Sequence, residues 1–293
     1  DLGNQPLCDS ILSPAQLRQP ETHYPLRLML CPESGLAQLD YVVDGSTVYH
    51  PEYPYRSGIT AELAVYQRAF AGEVVALLGT PPDSLAVDIG SNDGTLLTGF
   101  KALGMRALGV EPTNIARIAR DENGIETIQS PFTEVVAREI RRDRGAAKVI
   151  TATNVFAHMA PLGEVMRGIV ALLDEDGVFI TESHYLLDVL EKGQFDTVYH
   201  EHIRTYSLRS LARLFAYYGL EVCHVRRADR YGGNIRAYVG RKGRRPVQAS
   251  VGELLALEVA SGLFEPARWQ TFRERVWRAR DGRAACDKLK VSD

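Results

Sequence analysis

The sequence predicts an α/β fold: a Rossmann-like parallel sheet with an antiparallel edge, a small N-terminal region before it and a helical tail after it. Three observations support this prediction. Strand-like apolar runs alternate with helical apolar spacing through about 100 residues, which is the pattern of βαβ units. A glycine-rich turn, "VDIGSNDG", follows the first of these strands. Two further strands, joined through "DRYGG", follow the last helix of the alternating region and predict the antiparallel pair.

Each element is predicted from the spacing of its apolar residues. Before the sheet, "AELAVYQRAFAGEVVALLG" has helical spacing and ends at Gly79, ahead of two prolines. The strands of the sheet are predicted at "SLAVDIG", "RALGVEP", "IETIQS", "AKVITATNVF", "GVFITES", "LEVCHVRRA" and "NIRAYVGRK". The helices between them are predicted at "GTLLTGFKALG", "TNIARIARDE", "TEVVAREIRRD", "LGEVMRGIVALLDEDG", "YLLDVLEKG" and "LRSLARLFAYYG", with a helical tail over 250–290.

Composition and charge exclude several classes of protein. The 293-residue chain has a net charge of −3 and a pI of about 6.2, so it presents no general basic surface for nucleic acid or an anionic membrane. Its apolar runs are strand-sized, far below the roughly 20 residues of a transmembrane helix. The four cysteines are scattered and form no CxxC pair, and no signal peptide precedes Asp1. We therefore expect a cytoplasmic protein.

The glycine-rich turn lies where open α/β sheets bind their ligands. Glu111 follows Asp88 by 23 positions, at the end of the second strand, where a carboxylate can accept hydrogen bonds from ribose hydroxyls. A dinucleotide site would need G-x-G-x-x-G, whereas the carboxylates of Asp88 and Asp93 suit a cationic amino acid moiety. This pattern resembles motifs I and II of class I S-adenosylmethionine methyltransferases, with a purely structural glycine turn as the alternative.

A second polar cluster, "YHEH" at Tyr199–His202, follows the fifth strand. His158 leaves the fourth strand at the same carboxyl edge, so it could converge with this cluster on one cavity. A histidine base, a tyrosine beside a developing oxyanion and an orienting glutamate suit deprotonation next to a ketone. A metal site using His158, His200 and His202, and a polar segment that only caps and packs, are the alternatives. The side chains alone do not separate methylation of carbon from methylation of oxygen.

Nine segments are together more specific than either motif. In chain order they are "DLGNQPL", "YPLRLMLC", "GLAQLD", "YPYRSG", "DIGSNDGTLL", "GVEPTNIA", "NVFAHM", "FDTVYHEH" and "RYGGNIRAYV". This ordered set resembles the sugar C-methyltransferase family through most of residues 1–240. Members of that family methylate a carbon of nucleotide-linked 4-keto-deoxyhexoses. The resemblance implies a class I methyltransferase fold, S-adenosylmethionine as the cofactor and a keto sugar nucleotide as the small-molecule acceptor.

Three other functions remain as alternatives at this stage. The first is an O-methyltransferase that acts on a sugar or natural-product hydroxyl. The second is a catalytically idle binding subunit, and the third is a dehydrogenase. A new methyl group on oxygen would indicate the O-methyltransferase. The absence of turnover with any acceptor would indicate the idle subunit, and nicotinamide binding would indicate the dehydrogenase.

The resemblance also implies roles for individual residues. The family's general base matches His202, and its other catalytic residues match Tyr199, Glu201 and His158. The expected donor-binding residues are Asp88, Gly90, Ser91, Asn92, Gly94, Glu111, Pro112, Asn154, Tyr55 and Ser57. The expected acceptor-binding residues are His184, Tyr185, Asn234 and Arg236. Tyr53 and Tyr55 belong to an aromatic stretch that helps to close the donor pocket, with ordinary linker packing as the alternative.

Two departures from the family pattern affect the predicted domains. The family has a four-cysteine zinc ribbon, but here only Cys31 matches and Ser34 of "CPESG" replaces the last ligand, so we predict no zinc. The family continues into a C-terminal Rossmann-like domain beyond the segments matched here, and a homodimer that supplies the missing wall is one expectation. The predicted domains are a degenerate zinc-ribbon-like region (1–50), a linker and lid helix (51–80), an S-adenosylmethionine-binding catalytic domain (81–245) and a helical C-terminal remnant (246–293).

Overall fold

The computed structural model describes residues 1–8, 10–49 and 56–290. The strands are β1 (Asn4–Gln5), β2 (Tyr24–Pro25), β3 (Leu28–Cys31), β4 (Leu36–Leu39), β5 (Leu85–Ile89), β6 (Arg106–Val110), β7 (Glu126–Ile128), β8 (Ala147–Thr153), β9 (Leu173–His184), β10 (Arg204–Thr205), β11 (Leu220–Ala228) and β12 (Asn234–Arg241). The α-helices are α1 (Gly45–Val48), α2 (Ala61–Leu78), α3 (Thr95–Ala102), α4 (Ile115–Asp121), α5 (Glu134–Arg144), α6 (Leu162–Leu172), α7 (Leu186–Lys192), α8 (Leu208–Tyr217), α9 (Ala249–Ala260) and α10 (Pro266–Lys290).

The central sheet has seven strands in the order β11-β12-β9-β8-β5-β6-β7. Strands β5 to β9 run parallel to one another, whereas β12 is antiparallel to both β9 and β11. The predicted α/β fold with an antiparallel edge is therefore confirmed. Because β5 lies between β6 and β8, the connections from β5 and β8 run in opposite directions. Their carboxyl ends form the crevice where such sheets bind ligands.

Apolar side chains cover both faces of this sheet. Val87, Ile150 and Phe179 belong to the core on one face, while Val149 and Ile180, one position away, belong to the core on the other. Side chains alternate between faces along a strand, so both cores come from the same near-continuous apolar runs. Because both faces are covered, few positions along these strands can hold a polar side chain, and the polar residues concentrate at the carboxyl edge of the sheet.

The helix predicted over "LGEVMRGIVALLDEDG" is too long. Helix α6 ends at Leu172, and the next residue already begins β9, which is extended through the acidic "DED" run. Lys148 on β8 holds Asp174 at 2.8 Å, and the register between β8 and β9 shifts nearby. Pairing with a neighbouring strand therefore replaces the last helical turn, which sequence spacing alone cannot anticipate.

The N-terminal region forms small sheets that reach the catalytic domain. Strands β3 and β4 form a hairpin, and Gly35 N–H donates to the Cys31 carbonyl at 2.8 Å to close its "CPESG" turn. Strand β10 pairs antiparallel with β4 immediately after the "YHEH" segment. Cys31 is exposed, and among the residues that the structure describes no group of three or more His, Cys, Asp or Glu side chains is placed to hold a metal ion.

A buried carboxylate is among the contacts that join the helical tail to the sheet domain. Glu258 on α9 is fully buried and accepts hydrogen bonds from Leu208 N–H at 2.5 Å and Arg209 N–H at 3.1 Å, at the start of α8. It also accepts from the Tyr185 hydroxyl at 3.0 Å. A carboxylate at a helix N-terminus satisfies donors that the helix cannot pair itself. No helix in the described ranges is long and apolar enough to cross a membrane.

Glu258→Ala is expected to destabilise the fold by about 2–4 kcal/mol, because it leaves two backbone donors and a tyrosine hydroxyl buried without an acceptor. Glu253→Ala is the matched control, since Glu253 lies on the same helix with its side chain exposed. Urea unfolding followed by circular dichroism measures both. Equal midpoints for the two variants would show that α9 is not held by Glu258.

Candidate active site

The turn after β5 is shaped for a close ligand. Gly90 and Gly94 have φ of 67° and 77°, a region that suits glycine. A Cβ on Gly90 would lie 2.5 Å from the Val155 side chain, so this turn packs directly against the segment that follows β8. Any side chain on Gly90 would push the two walls of the crevice apart.

Glu111 is held in place by the turn that it faces. Its carboxylate is buried and accepts from Asn92 N–H at 3.0 Å, Thr113 N–H at 2.9 Å and the Thr113 hydroxyl at 2.7 Å. These donors fix both oxygens, and each oxygen keeps lone-pair capacity for a ligand hydroxyl. Pro112, between the two residues, is exposed and has no N–H to donate.

Asp88 carries an unusual proton affinity. It is buried at the end of β5 and accepts from the Thr151 hydroxyl at 2.6 Å. Burial raises its pKa to about 7, and the nearby charge of Glu111 adds to the rise, against the Thr151 hydrogen bond. Among the described residues no basic side chain forms an ion pair with either carboxylate. Two acids without a cationic partner suit a cationic ligand.

Three side chains of the turn after β5 are directed into the protein and not toward a ligand. The Ser91 hydroxyl is buried, lies against Gly109 of β6 and has no hydrogen-bond partner in the described part of the chain. The Asn92 side-chain oxygen accepts from Ser57 N–H at 2.8 Å, and Asp93 accepts from Gly58 N–H at 2.7 Å. These side chains therefore hold the segment before α2 against the turn, which leaves main-chain atoms to face a ligand.

Two other residues, Asn154 and Tyr55, were expected to bind the methyl donor. Asn154 follows β8 with φ 52° and donates its N–H to the Glu182 carbonyl at 2.7 Å, so it stays at the edge of the crevice. Tyr55, together with Tyr53, lies outside the described residues.

Three imidazoles meet beside the crevice. The ring centre of His202 lies 4.8 Å from that of His158 and 4.7 Å from that of His184. The Tyr199 ring is 3.9 Å from the His202 ring. Strand ends β8 and β9 supply His158 and His184, and the segment before β10 supplies the other two. The structure thus brings together three of the predicted catalytic residues and one predicted acceptor residue.

Hydrogen bonds fix the tautomer of His202. Its Nδ1 lies 2.6 Å from the Thr197 carbonyl, which can only accept, so Nδ1 carries the proton. Nε2 is then the unprotonated nitrogen, and its lone pair accepts a hydrogen bond from the Tyr199 hydroxyl at 2.8 Å. This is the arrangement of a base whose second nitrogen is oriented and stabilised by a carbonyl, with a tyrosine hydroxyl on the reactive nitrogen.

The three imidazoles are uncharged near neutral pH. Burial lowers the pKa of His158 to about 3, helped by His184, and burial also lowers the pKa of His184. The pKa of His202 lies well below its usual range because of burial and the two neighbouring imidazoles, although the Thr197 carbonyl acts in the opposite direction. The cluster therefore offers a proton acceptor that is already deprotonated.

Glu201 and His200 turn toward the N-terminal region. The buried Glu201 carboxylate lies 3.5 Å from the Cys8 thiol, which donates to it. The buried His200 ring packs edge-on against Tyr24 with centroids 5.8 Å apart. Neither His200 ring nitrogen has a hydrogen-bond partner among the described residues. The structure thus separates His200 from the imidazole cluster.

Two of the expected acceptor-binding residues lie away from the imidazole cluster. Tyr185 is fully buried and bonds Glu258, one position after His184 and on the other side of the sheet end. Arg236 is fully buried too, and its Nε donates to Glu182 at 2.6 Å. We therefore remove Tyr185 and Arg236 from the acceptor set. Asn234 stays near the crevice, where its amide donates to the Asn154 side chain at 3.2 Å.

One residue near the cluster had no sequence signal. The Tyr49 hydroxyl lies 2.8 Å from His158 Nδ1, and the two rings stack with centroids 6.1 Å apart. Tyr49 ends the described part of the N-terminal region, 109 positions before His158. Only the folded path of the chain brings these two residues together.

The sheet order, the glycine turn and the acid at the end of β6 are those of a class I methyltransferase. A family model described as "Methyltransferase domain" matches residues 64–225, more than half of the chain, so the chain belongs to this family, whose cofactor is S-adenosylmethionine. A second model, described as "Putative zinc binding domain", matches residues 1–49.

Comparison with known proteins adds a curated relative. The chain is 34% identical to the C-methyltransferase NovU of Streptomyces niveus over 280 residues, which cover 95% of this chain and 66% of the relative. The chain thus spans a little under two thirds of the length of that relative. The predicted resemblance to C-methyltransferases is confirmed.

Solved structures match the sheet domain. The PH0226 protein of Pyrococcus horikoshii OT3 is 14% identical with a TM-score of 0.52, over 66% of this chain and 98% of its own. A methyltransferase of Anabaena variabilis ATCC 29413 that depends on S-adenosylmethionine is 17% identical with a TM-score of 0.48, over 61% of this chain and 86% of its own. At 14% identity the likeness to the PH0226 protein concerns the fold alone.

Proposed function

We propose that this protein transfers a methyl group from S-adenosylmethionine to a carbon next to a ketone, in a nucleotide-linked deoxysugar. The observation that carries the proposal is the His202 arrangement, with Nδ1–H donated to Thr197 and Nε2 facing the Tyr199 hydroxyl. A carbon acid must lose a proton before it can attack a methyl donor. An uncharged, oriented imidazole is the group that such a step needs.

The donor site fits a sulfonium cofactor. We assign the ribose hydroxyls to Glu111 and the cationic amino acid portion to the acidic side of the crevice near Asp88, with Asn154 at the edge. When bound, S-adenosylmethionine supplies an electrophilic methyl group that needs no metal for activation. The residues fit because Gly90 leaves space that a Cβ would fill and because both acids lack a basic partner in the described chain.

The acceptor side uses the imidazole cluster. We assign proton removal to Nε2 of His202, with the Thr197 carbonyl stabilising the imidazolium that forms. The hydroxyl of Tyr199 and the neutral rings of His158 and His184 are the polar groups available to a developing enolate oxygen. Glu201, bound to the N-terminal region through Cys8, fixes the segment that carries the base.

The remaining assignments follow the same proposal. The keto sugar nucleotide is supported by the ordered motifs in residues 1–240. We also propose a cytoplasmic location, where thiols such as those of Cys31 and Cys223 stay reduced. We retain the proposed division after residues 50, 80 and 245, and a homodimer as a partner arrangement.

Cofactor affinity is expected to fall as the pH drops below about 7. A cation stabilises ionised Asp88, so protonated Asp88 must release its proton when the cofactor binds; above the raised pKa no release is needed. Calorimetric titration at pH 6 and pH 8, in buffers with different ionisation enthalpies, measures both affinity and proton release. Asp88→Asn is expected to remove the pH dependence. Equal affinity and no proton release in wild type at pH 6 would contradict the assignment.

The proposed activity is tested by incubating the protein with S-adenosylmethionine and a panel of nucleotide-linked 4-keto-deoxyhexoses, followed by mass spectrometry. An acceptor heavier by one methylene, together with S-adenosylhomocysteine, is expected. An unchanged acceptor across the panel would overturn the sugar assignment. A methyl group on oxygen would instead establish the O-methyltransferase alternative.

A further inference from the structure

A buried polar network lies between helix α2 and the antiparallel edge of the sheet, and no role has been assigned to it. At its centre is Glu182 near the end of β9, with 1% of its side chain exposed. Oε1 accepts from the Tyr66 hydroxyl at 2.8 Å, and Oε2 accepts from Arg236 Nε at 2.6 Å. Arg236 also donates to the Tyr66 hydroxyl at 2.8 Å and to Glu73 at 3.0 Å.

Glu182 bonds the main chain of Asn154 directly and is connected to the Asn154 side chain through Asn234. Its main-chain carbonyl accepts the Asn154 N–H at 2.7 Å, which holds a non-glycine residue at positive φ. Its side-chain Oε1 accepts from the Asn234 amide at 3.2 Å, and that amide also donates to the Asn154 side chain at 3.2 Å. Both ends of Asn154 are therefore set by Glu182.

Helix α2 is the other element that the network holds. Tyr66 and Glu73 lie on this helix, and Glu62, one turn before Tyr66, pairs with Arg230 at 2.6 Å. The segment just before α2 donates Ser57 N–H and Gly58 N–H to the cofactor turn. A shift of α2 would therefore move this segment relative to the turn.

We propose that Glu182 is a positioning residue for cofactor binding: through Tyr66 and Asn234 it fixes helix α2 and Asn154 relative to each other across the donor crevice. The inference rests on the proposed function, because it takes the crevice to be the S-adenosylmethionine site. Charge balance supports a defined arrangement, since Glu182 and Glu73 face Arg236 and Arg226. A charge-balanced network with Glu182 bonded at both oxygens favours a defined geometry, and that geometry is transmitted to both walls.

The network contains its own control. Tyr66→Phe removes the hydroxyl that joins α2 to Glu182 and keeps the ring. Glu73→Gln weakens the ion pairs to Arg236 and Arg226 at the far end of the same network, without touching Glu182 or Asn154. Both changes disturb stability, but Tyr66→Phe removes the direct hydrogen bond from α2 to Glu182, whereas Glu73→Gln reaches Glu182 only indirectly, through Arg236.

Calorimetric binding of S-adenosylmethionine, without an acceptor, tests the inference. Tyr66→Phe is expected to weaken binding about tenfold, the effect of one lost hydrogen bond to a charged group, and Glu73→Gln by less than about twofold. Glu182→Gln, which keeps the shape but loses the charge, is expected to weaken binding at least as much as Tyr66→Phe. In turnover, KM for the cofactor should rise while kcat at saturation is retained.

The outcomes separate the inference from the proposed function. Unchanged affinity in Tyr66→Phe and Glu182→Gln, with melting temperatures lowered as in Glu73→Gln, would reduce the network to a structural role and overturn the inference alone. Equal weakening in all three variants would overturn it as well. A wild-type protein that fails to bind S-adenosylmethionine would overturn the proposed function and the inference with it.

Discussion

His202→Ala is expected to lower kcat by about 10²–10⁴-fold, the usual contribution of a general base. The Nε2 lone pair is the proton acceptor of the proposed reaction, and its orientation depends on the Thr197 carbonyl and the Tyr199 hydroxyl. The neighbouring imidazoles are uncharged but lack this pair of contacts. Turnover at saturating cofactor and acceptor, followed by S-adenosylhomocysteine formation, measures the loss.

Two controls define what the His202 result means. His23→Ala removes an exposed histidine outside the cluster and is expected to leave turnover unchanged. Calorimetric affinity for S-adenosylmethionine should remain that of wild type in His202→Ala, because the donor residues lie on the other side of the crevice. Wild-type turnover in His202→Ala would remove this residue from the base role. Loss of cofactor binding in that variant would indicate a collapsed site instead.

Glu111→Ala is expected to weaken S-adenosylmethionine binding by about 10²-fold, since two hydrogen bonds to a charged acceptor contribute about 1.5 kcal/mol or more each. The side chain is buried and held by Asn92 N–H and Thr113, so its oxygens are already oriented before a ligand arrives. Little conformational entropy is then lost on binding. Calorimetry measures the dissociation constant directly.

Glu126→Ala is the matched control for Glu111, because Glu126 is an exposed glutamate on the neighbouring strand and forms an ion pair with a surface arginine, Arg144. It should bind cofactor as wild type does. A Glu111→Ala variant with wild-type affinity would mean that another group binds the ribose hydroxyls, and it would contradict the assignment of Glu111 to the cofactor site.

Much of the fold could be predicted from the sequence because its signals are local. Apolar runs such as "LAVDI" must be buried on both faces, which requires helices on both sides of a parallel sheet. Glycines at positions that need positive φ marked the turn, and a fixed spacing placed Glu111 at the end of the second strand. These features depend on residues that are neighbours in the chain.

The contacts of single side chains were less predictable. Arg236 and Asn234 stand two positions apart on β12 and both bond Glu182, but Arg236 also extends to Tyr66 and Glu73 on α2, whereas Asn234 also reaches Asn154. Tyr185 was expected beside an acceptor but bonds Glu258, 73 positions away. The orientation of such a side chain depends on partners that are distant in the chain. Neither strand periodicity nor motif spacing indicates which residues those partners are.

The position of the new methyl group tests the central claim most directly. The protein would be supplied with S-adenosylmethionine carrying ¹³C in its methyl group and with the acceptor that mass spectrometry identifies, and the product would be studied by long-range proton–carbon NMR. The account predicts that the labelled methyl group is bonded to a ring carbon and correlates with the adjacent ketone carbon. A labelled methyl group bonded to oxygen would contradict it.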